Sequence, residues 1–287
     1  LTFRYGFLKL ENIPLALNDW QYLLLVLSTV LLAAGGYVIN NIFDQATDND
    51  NKPDQVIIGK GISETNAYNI YVALNIIGVG IGFYLSNVIG KPGFASIFIM
   101  IAAALYFYAT SLKQMVLIGN IIVAALLSIS VIIIGIFDLF PVITPENQPM
   151  MANLFSILLD FAVFAFMINF IREIVKDLED VNGDYNQGMS TLPIVLGISR
   201  TAKITFGLSF IPIFVILIYI NTYLIPLLYA TLYMLLFVLG PLLYFVVKIW
   251  TAKKQKEFRS LSLLLKWILF FGILSVLVIS LNIKYNA

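Results

Sequence analysis

Two groups of carboxylates have the residue types and spacing on which chemistry can be built. The first is Asn40-Asn41-Ile42-Phe43-Asp44-Gln45-Ala46-Thr47-Asp48, with Asp50 and Asp54 just beyond it. The second is Asp177-Leu178-Glu179-Asp180-Val181-Asn182-Gly183-Asp184. Together they hold half of the 16 Asp and Glu residues of the chain. Asp44 and Asp48 lie one helical turn apart, as do Asp180 and Asp184, and Asp177 precedes Asp180 by three residues, so each set would share a helix face. Like charges so placed repel one another unless a cation bridges them. Mg²⁺ takes oxygen ligands, keeps several waters, and is typically shared between one or two carboxylates and substrate phosphates. The pattern therefore points to Asp44, Asp48, Asp180 and Asp184 as the catalytic metal-binding carboxylates, with Asn40 as a neutral ligand one turn before Asp44. A diphosphate is the natural third party.

Cationic and aromatic residues complete this chemistry. Arg172 and Lys176 lie one turn apart just before the second group, Lys113 ends an apolar run, and Lys52 and Lys60 follow the first group. Cations beside a metal-bound diphosphate hold it and stabilise the charge that develops as it leaves. Tyr106, Phe107 and Tyr108 could set π-faces near a developing carbocation. With no Cys and no His, thiolate nucleophiles, disulfides, Cys/His zinc sites and an imidazole base are all excluded.

The elements that must position these residues are membrane helices. The 287 residues are 60% hydrophobic and only 11% charged, too few charges to cover a water-soluble surface. Net charge is +1, which gives no reason to expect a nucleic-acid partner. Apolar runs fall at roughly 20–43, 66–89, 93–112, 115–138, 152–172, 202–220, 225–248 and 260–282, each about the 20 residues a spanning helix needs. They lack the alternation of barrel strands. Residues 1–10 read as the tail of a further helix. The expectation is an all-α polytopic bundle, a single domain over 1–287, with nine spans of which the first is truncated.

With alternating spans, one membrane side collects 13 of the 17 Lys and Arg residues, which places that side in the cytoplasm. Both acidic groups lie there, in the polar connections 44–65 and 173–201. Asp44 and Asp180 each close a span with three spans between them. This suggests two four-helix halves around a central cavity.

Taken together, the motif Asn-x-x-x-Asp-x-x-x-Asp at one span end, with Asp-x-x-x-Asp at another four spans later, resembles the UbiA-type intramembrane prenyltransferase superfamily. The likeness covers essentially the whole chain. It implies Mg²⁺-dependent transfer of a prenyl group from a prenyl diphosphate, with Asn40, Asp44, Asp48, Asp180 and Asp184 at the metal-diphosphate positions. Asn41 stands where the family usually has Asp. The stretch from Arg172 to Asp184, with Gly188 and Thr191-Leu192-Pro193 beyond, is similar to the digeranylgeranylglyceryl phosphate synthase branch, as are Tyr108 to Lys113 and Gly119-Asn120. That branch implies geranylgeranyl transfer to the hydroxyl of geranylgeranylglyceryl phosphate. Where the family often has Arg-Pro-x-Pro-Ser-Gly, this chain has Gln55-Val56-Ile57-Ile58-Gly59-Lys60, with Lys60 in place of the lost Arg. The resemblance implies a prokaryotic cell membrane and donor, lipid acceptor and bilayer lipids as partners. Substrate contacts are expected from Asn40, Lys60, Tyr108, Lys113, Arg172, Lys176 and Asp177.

Two other functions fit parts of this pattern. An aromatic acceptor, as in quinone biosynthesis, would need fewer cations near the site. A divalent-cation transporter would carry acids along a pore near the midplane, whereas here only Asp160 lies deep in a span. Asp160 is expected to make a helix-packing hydrogen bond, and Asp50, Asp54 and Glu179 to be solvated neighbours. The basic loop 248–259 fits the positive-inside rule.

Overall fold

The computed structural model describes residues 1–51, 54 and 56–285; Lys52, expected near the site, lies outside the described residues. Among the described residues eight helical segments, some joining two or more of the helices below, are long and apolar enough to cross a membrane, and the protein is an integral membrane protein. In chain order the helices are α1 Asp19–Phe43, α2 Gln45–Asn51, α3 Glu64–Val88, α4 Ala95–Thr110, α5 Ile118–Ile134 and α6 Gln148–Asn186. They continue with α7 Leu192–Leu196, α8 Ile198–Leu208, α9 Phe210–Tyr219, α10 Leu228–Tyr233, α11 Gly240–Thr251 and α12 Gln255–Tyr285. Among the described residues no strand forms. Ahead of α1 lies a short π-helical stretch, Arg4–Leu8.

The start of α1 is set by a capping box: the Gln21 N–H donates to Asn18 Oδ1 at 2.9 Å and the Asn18 N–H to Gln21 Oε1 at 2.9 Å. α1 packs against α3 and α4, α5 against α6, and α6 against α12 and α8. Small residues let these helices approach, because lipid offers no hydrophobic drive between spans. A Cβ on Gly35 would lie 2.8 Å from Asn75 Nδ2, and one on Gly36 2.9 Å from Leu105. The α1–α3 contact gains a hydrogen bond from Ser28 Oγ to the Gly78 carbonyl at 2.7 Å.

At the end of the bundle opposite Asp44, a buried ion pair joins Arg4 to Asp138. Arg4 Nη1 donates to both Asp138 oxygens at 2.6 and 2.5 Å, Nη2 donates to the Leu17 carbonyl at 2.6 Å, and the Leu17 N–H donates to Asp138 at 3.2 Å. The guanidinium also stacks over Tyr22, 4.5 Å from its ring centre.

Two local departures from the expected pattern bear on the site. α6 does not stop near residue 172 but runs on to Asn186. Nothing between Arg172 and Asp184 breaks a helix except the tolerated Gly183, and Arg172, Glu173 and Lys176 satisfy one another along it. The helix ends at Gly188, whose positive φ of 66° allows the Met189 N–H to reach the Asp184 carbonyl at 2.9 Å. At the other motif, α1 bends at Asp44 yet keeps its helical bonds. The Asp44 N–H donates to the Asn40 carbonyl and the Asp48 N–H to the Asp44 carbonyl, both at 2.8 Å.

Candidate active site

The continued turns of α6 and the α1–α2 bend carry the two acidic groups to one another. The Asn186 amide on α6 donates to Asp50 Oδ2 on α2 at 3.0 Å. Asp184, which is buried, lies within electrostatic reach of Asp44 and Lys113 as well as Asp180. Its carboxylate accepts a hydrogen bond from Thr191 Oγ1 at 3.2 Å, so the loop after α6 closes over it.

Lys113 is the contact between the motifs and a third element. It sits in the 3₁₀ turn Leu112–Gln114 that follows α4, and its ammonium donates to Asp44 Oδ1, while the Asn40 amide donates to Oδ2. Both partners of the Lys113–Asp44 pair are mostly buried. Two backbone features hold this turn. The Ser190 N–H donates to the Gln114 carbonyl at 2.9 Å. Gly119 lies so close that a Cβ there would sit 2.8 Å from Lys113 Cα, a backbone atom that cannot swing away.

On α6, Glu173 gathers the two cations expected beside the second group. Arg172 Nη1 donates to Glu173 Oε1 at 2.6 Å and Lys176 Nζ to Oε2 at 3.3 Å, with Arg172 also reaching Asn169 at 3.4 Å. Asp177 accepts from the buried Asn120 amide at 2.8 Å. Tyr108 lies among these groups, near Lys176, Glu173, Asp177 and Asp44. Its neighbours Tyr106 and Phe107 do not join it: both are exposed, and Tyr106 packs against Tyr71 and Phe107. Successive helical residues point about 100° apart, so only one of three adjacent aromatics can face a given cavity.

The other expected residues divide clearly. Asp48 is half-buried on α2 and Asp180 half-buried on α6. Lys60 is exposed and donates to Asn49 at 3.4 Å, beside α2. Asp50 and Asp54 are exposed as expected. Glu179 is not a solvated neighbour but is buried, because it adjoins the Val175–Leu178 stripe through which α6 packs on its neighbours. Asp160 is also not a packing residue. It is exposed and lines a lateral cavity of about 270 Å³ with Tyr219, Tyr223 and Ser275. Asp160 and Asp180 are 20 residues apart, which turns them about 200° from one another on α6, so that cavity lies on the face away from the acidic site.

Among the described residues no three acidic groups converge as a metal cage. Mg²⁺ seldom needs one, since waters and substrate phosphates complete its shell. The donors present suit it. Asn40 Oδ1 is buried with no hydrogen-bond partner, beside Asp44, and a buried carbonyl oxygen left so is costly unless something binds it.

A family model described as the UbiA prenyltransferase family matches residues 12–276. The chain belongs to that family. The chain is 30% identical over 262 residues to digeranylgeranylglyceryl phosphate synthase of Korarchaeum cryptofilum, covering 90% of this chain and 85% of the relative. It is 33% identical over 203 residues to the synthase of that name from Thermococcus gammatolerans, covering 68% and 67%. A solved structure of a UbiA homologue from Aeropyrum pernix K1 superposes with a TM-score of 0.69 at 13% identity, over 94% of this chain and 90% of that one. One of digeranylgeranylglyceryl phosphate synthase in membranes gives 0.61 at 23% identity, over 95% and 89%. The chain is thus a membrane-embedded prenyltransferase with an all-helical UbiA-like fold, and family members generally use Mg²⁺. A cation transporter is not what this family is.

Outside the expected set stands Glu173, which ties two cations. Asn120 had been noted only for its resemblance. Glu173 stands beside Arg172 and three residues before Lys176, a spacing readable in the sequence, whereas Asn120 works through Asp177 on another span, which no local spacing signals.

Proposed function

We propose that the protein transfers a geranylgeranyl group from geranylgeranyl diphosphate to the hydroxyl of geranylgeranylglyceryl phosphate, in a prokaryotic cell membrane, from a site facing the cytoplasm. The observation that carries this reading is the meeting of both acidic motifs with Lys113 at Asp44, with Arg172 and Lys176 gathered on the adjoining turns of α6. The names of the relatives support the choice of acceptor. The reading takes 1–287 as one domain, with two four-helix halves about the shared cavity.

In the mechanism, Asn40, Asp44, Asp48, Asp180 and Asp184 would hold Mg²⁺. When bound, the metal neutralises diphosphate oxygens and so makes the diphosphate a better leaving group. Lys113 is already seated against the first motif and presents its ammonium where phosphate oxygens gain charge. Arg172 and Lys176 add donors from α6, and Glu173 keeps their side chains from turning away. Tyr108 presents an aromatic ring to the cation left on the prenyl chain. The surrounding helices exclude bulk water, which would otherwise capture that cation before the acceptor hydroxyl does.

The test is product analysis by mass spectrometry. The full chain in lipid nanodiscs is given geranylgeranyl diphosphate, Mg²⁺ and a panel of glycerophosphate and aromatic acceptors. An ether lipid formed only with Mg²⁺ supports the reading. An aromatic product, or ether formation undiminished by EDTA, overturns it.

A further inference from the structure

Ether formation needs a proton taken from the acceptor hydroxyl, and this inference rests on the reaction proposed above. As the donor ionises, the C–O bond to the diphosphate breaks and its electron pair leaves with the diphosphate. The acceptor oxygen then forms its bond to the allylic carbon. An alcohol that attacks without losing its proton becomes an oxonium ion, which readily expels the alcohol again. A carboxylate within hydrogen-bond reach of that hydroxyl makes the capture one-way.

α6 carries four carboxylates on one face. At about 100° per residue, Glu173, Asp177, Asp180 and Asp184 fall within an arc of about 60°. Asp180 and Asp184 belong to the metal motif. Both oxygens of Glu173 are engaged, Oε1 by Arg172 and Oε2 by Lys176. Asp177 is engaged through one oxygen alone. Its Oδ2 accepts from the Asn120 amide at 2.8 Å, and among the described residues no hydrogen bond reaches Oδ1. The side chain is half-buried, and Oδ1 is not sealed from solvent.

The depth of Asp177 suits the reacting carbon. Along α6 it stands about 4.5 Å before Asp180 and about 10 Å before Asp184, toward the middle of the span. A prenyl diphosphate held by its phosphates at the acidic motifs would extend its apolar chain in that same direction, away from water. Its first carbon would then lie about one turn deeper than the metal motif, at the level of Asp177. Asn120, buried in the first turn of α5, orients the carboxylate with a neutral amide. The cations on Glu173, by contrast, occupy the oxygens they hold.

We propose that Asp177 is the general base of the reaction: its Oδ1 accepts the proton of the acceptor hydroxyl as the ether bond forms, and Asn120 is the residue that positions it. The protonated carboxyl returns its proton to water when the products leave.

The test compares wild type, D177N and D177E in nanodiscs with two acceptors, geranylgeranylglyceryl phosphate and its analogue with a thiol in place of the hydroxyl. At about pH 8.5 a thiol ionises unaided, so it needs no base while making the other demands of the natural acceptor. D177N keeps an oxygen for the Asn120 amide. It should lower kcat for the hydroxyl acceptor by about 10²- to 10⁴-fold and for the thiol by less than about 10-fold, with the dissociation constant of radiolabelled geranylgeranyl diphosphate within about 2-fold of wild type. D177E should restore part of the loss, and N120A should show the same preference for the thiol to a lesser degree. If D177N does not fold, as judged by gel filtration and thermal unfolding, D177S takes its place. An equal loss with both acceptors, or weakened donor binding, overturns the proposal and makes Asp177 a structural or metal-site residue. An unchanged hydroxyl rate gives the proton to the departing diphosphate and overturns it too. Wild type that makes no ether lipid overturns the functional reading instead, so the two failures are distinct.

Discussion

Lys113 and Asp44 are 69 residues apart in the chain, yet the ammonium of one donates to the carboxylate of the other in a mostly buried pair. This contact joins the end of α4 to the bend between α1 and α2. Removing the ammonium leaves Asp44 with only the Asn40 amide and removes a donor from the departing diphosphate. K113M should therefore lower kcat by about 10²- to 10³-fold, the usual cost of deleting one such electrostatic group. A radiolabelled donor assay at saturating substrate reads this directly, and K113M with near-normal kcat would remove Lys113 from the site.

Gly119 should matter for the same chemistry without touching substrate. A methyl group there meets the Lys113 backbone at 2.8 Å, so the 3₁₀ turn must shift. A displacement of about 1 Å at a reacting group can cost on the order of 100-fold. G119A should fold, because the clash is local, and should lose activity in parallel with K113M. The double variant should be little worse than K113M alone, since both act through one side chain.

These relationships mark where sequence reading stops. The eight spans are legible because each is an uninterrupted apolar run, and the helical pairing of Asp44 with Asp48 and of Asp180 with Asp184 is legible from their i,i+4 spacing. The meeting of Lys113 with Asp44 was not legible: it depends on how the end of α4 turns back toward α1, which no periodicity records. Hydropathy marks only the apolar part of α6, which ends near Arg172, whereas the helix is continued by charged side chains that pair along it. Glu179 was misjudged for a related reason, since its type says solvent while its position on the helix says interior.

Asn40 offers a test of the metal site separate from turnover. Its Oδ1 is the one Asn40 oxygen-donor position left without a partner beside Asp44. N40A should raise the Mg²⁺ concentration needed for half-maximal rate by about 10- to 100-fold, as losses around metal ligands commonly do. Mg²⁺ titrations of N40A and wild type at saturating donor read the shift. An identical half-saturation would mean that this oxygen serves the helix rather than a metal.

The Arg4–Asp138 pair concerns stability alone, because it lies at the far end of the bundle from Asp44. Its side chains are 1% and 0% exposed, and Arg4 also fastens the Leu17 carbonyl just before α1 begins. Breaking a buried pair strands the remaining charge, at a cost of about 3–5 kcal/mol, whereas replacing both partners with apolar residues is often neutral. D138A should therefore lower the midpoint of thermal unfolding in detergent by many degrees. The double variant R4M/D138L should recover much of that loss, limited by the bond to Leu17 that it also removes. Protein that remains folded should keep its KM for both substrates. If R4M/D138L is no more stable than D138A, the Arg4 contact to Leu17, and not the ion pair, fixes the approach to α1.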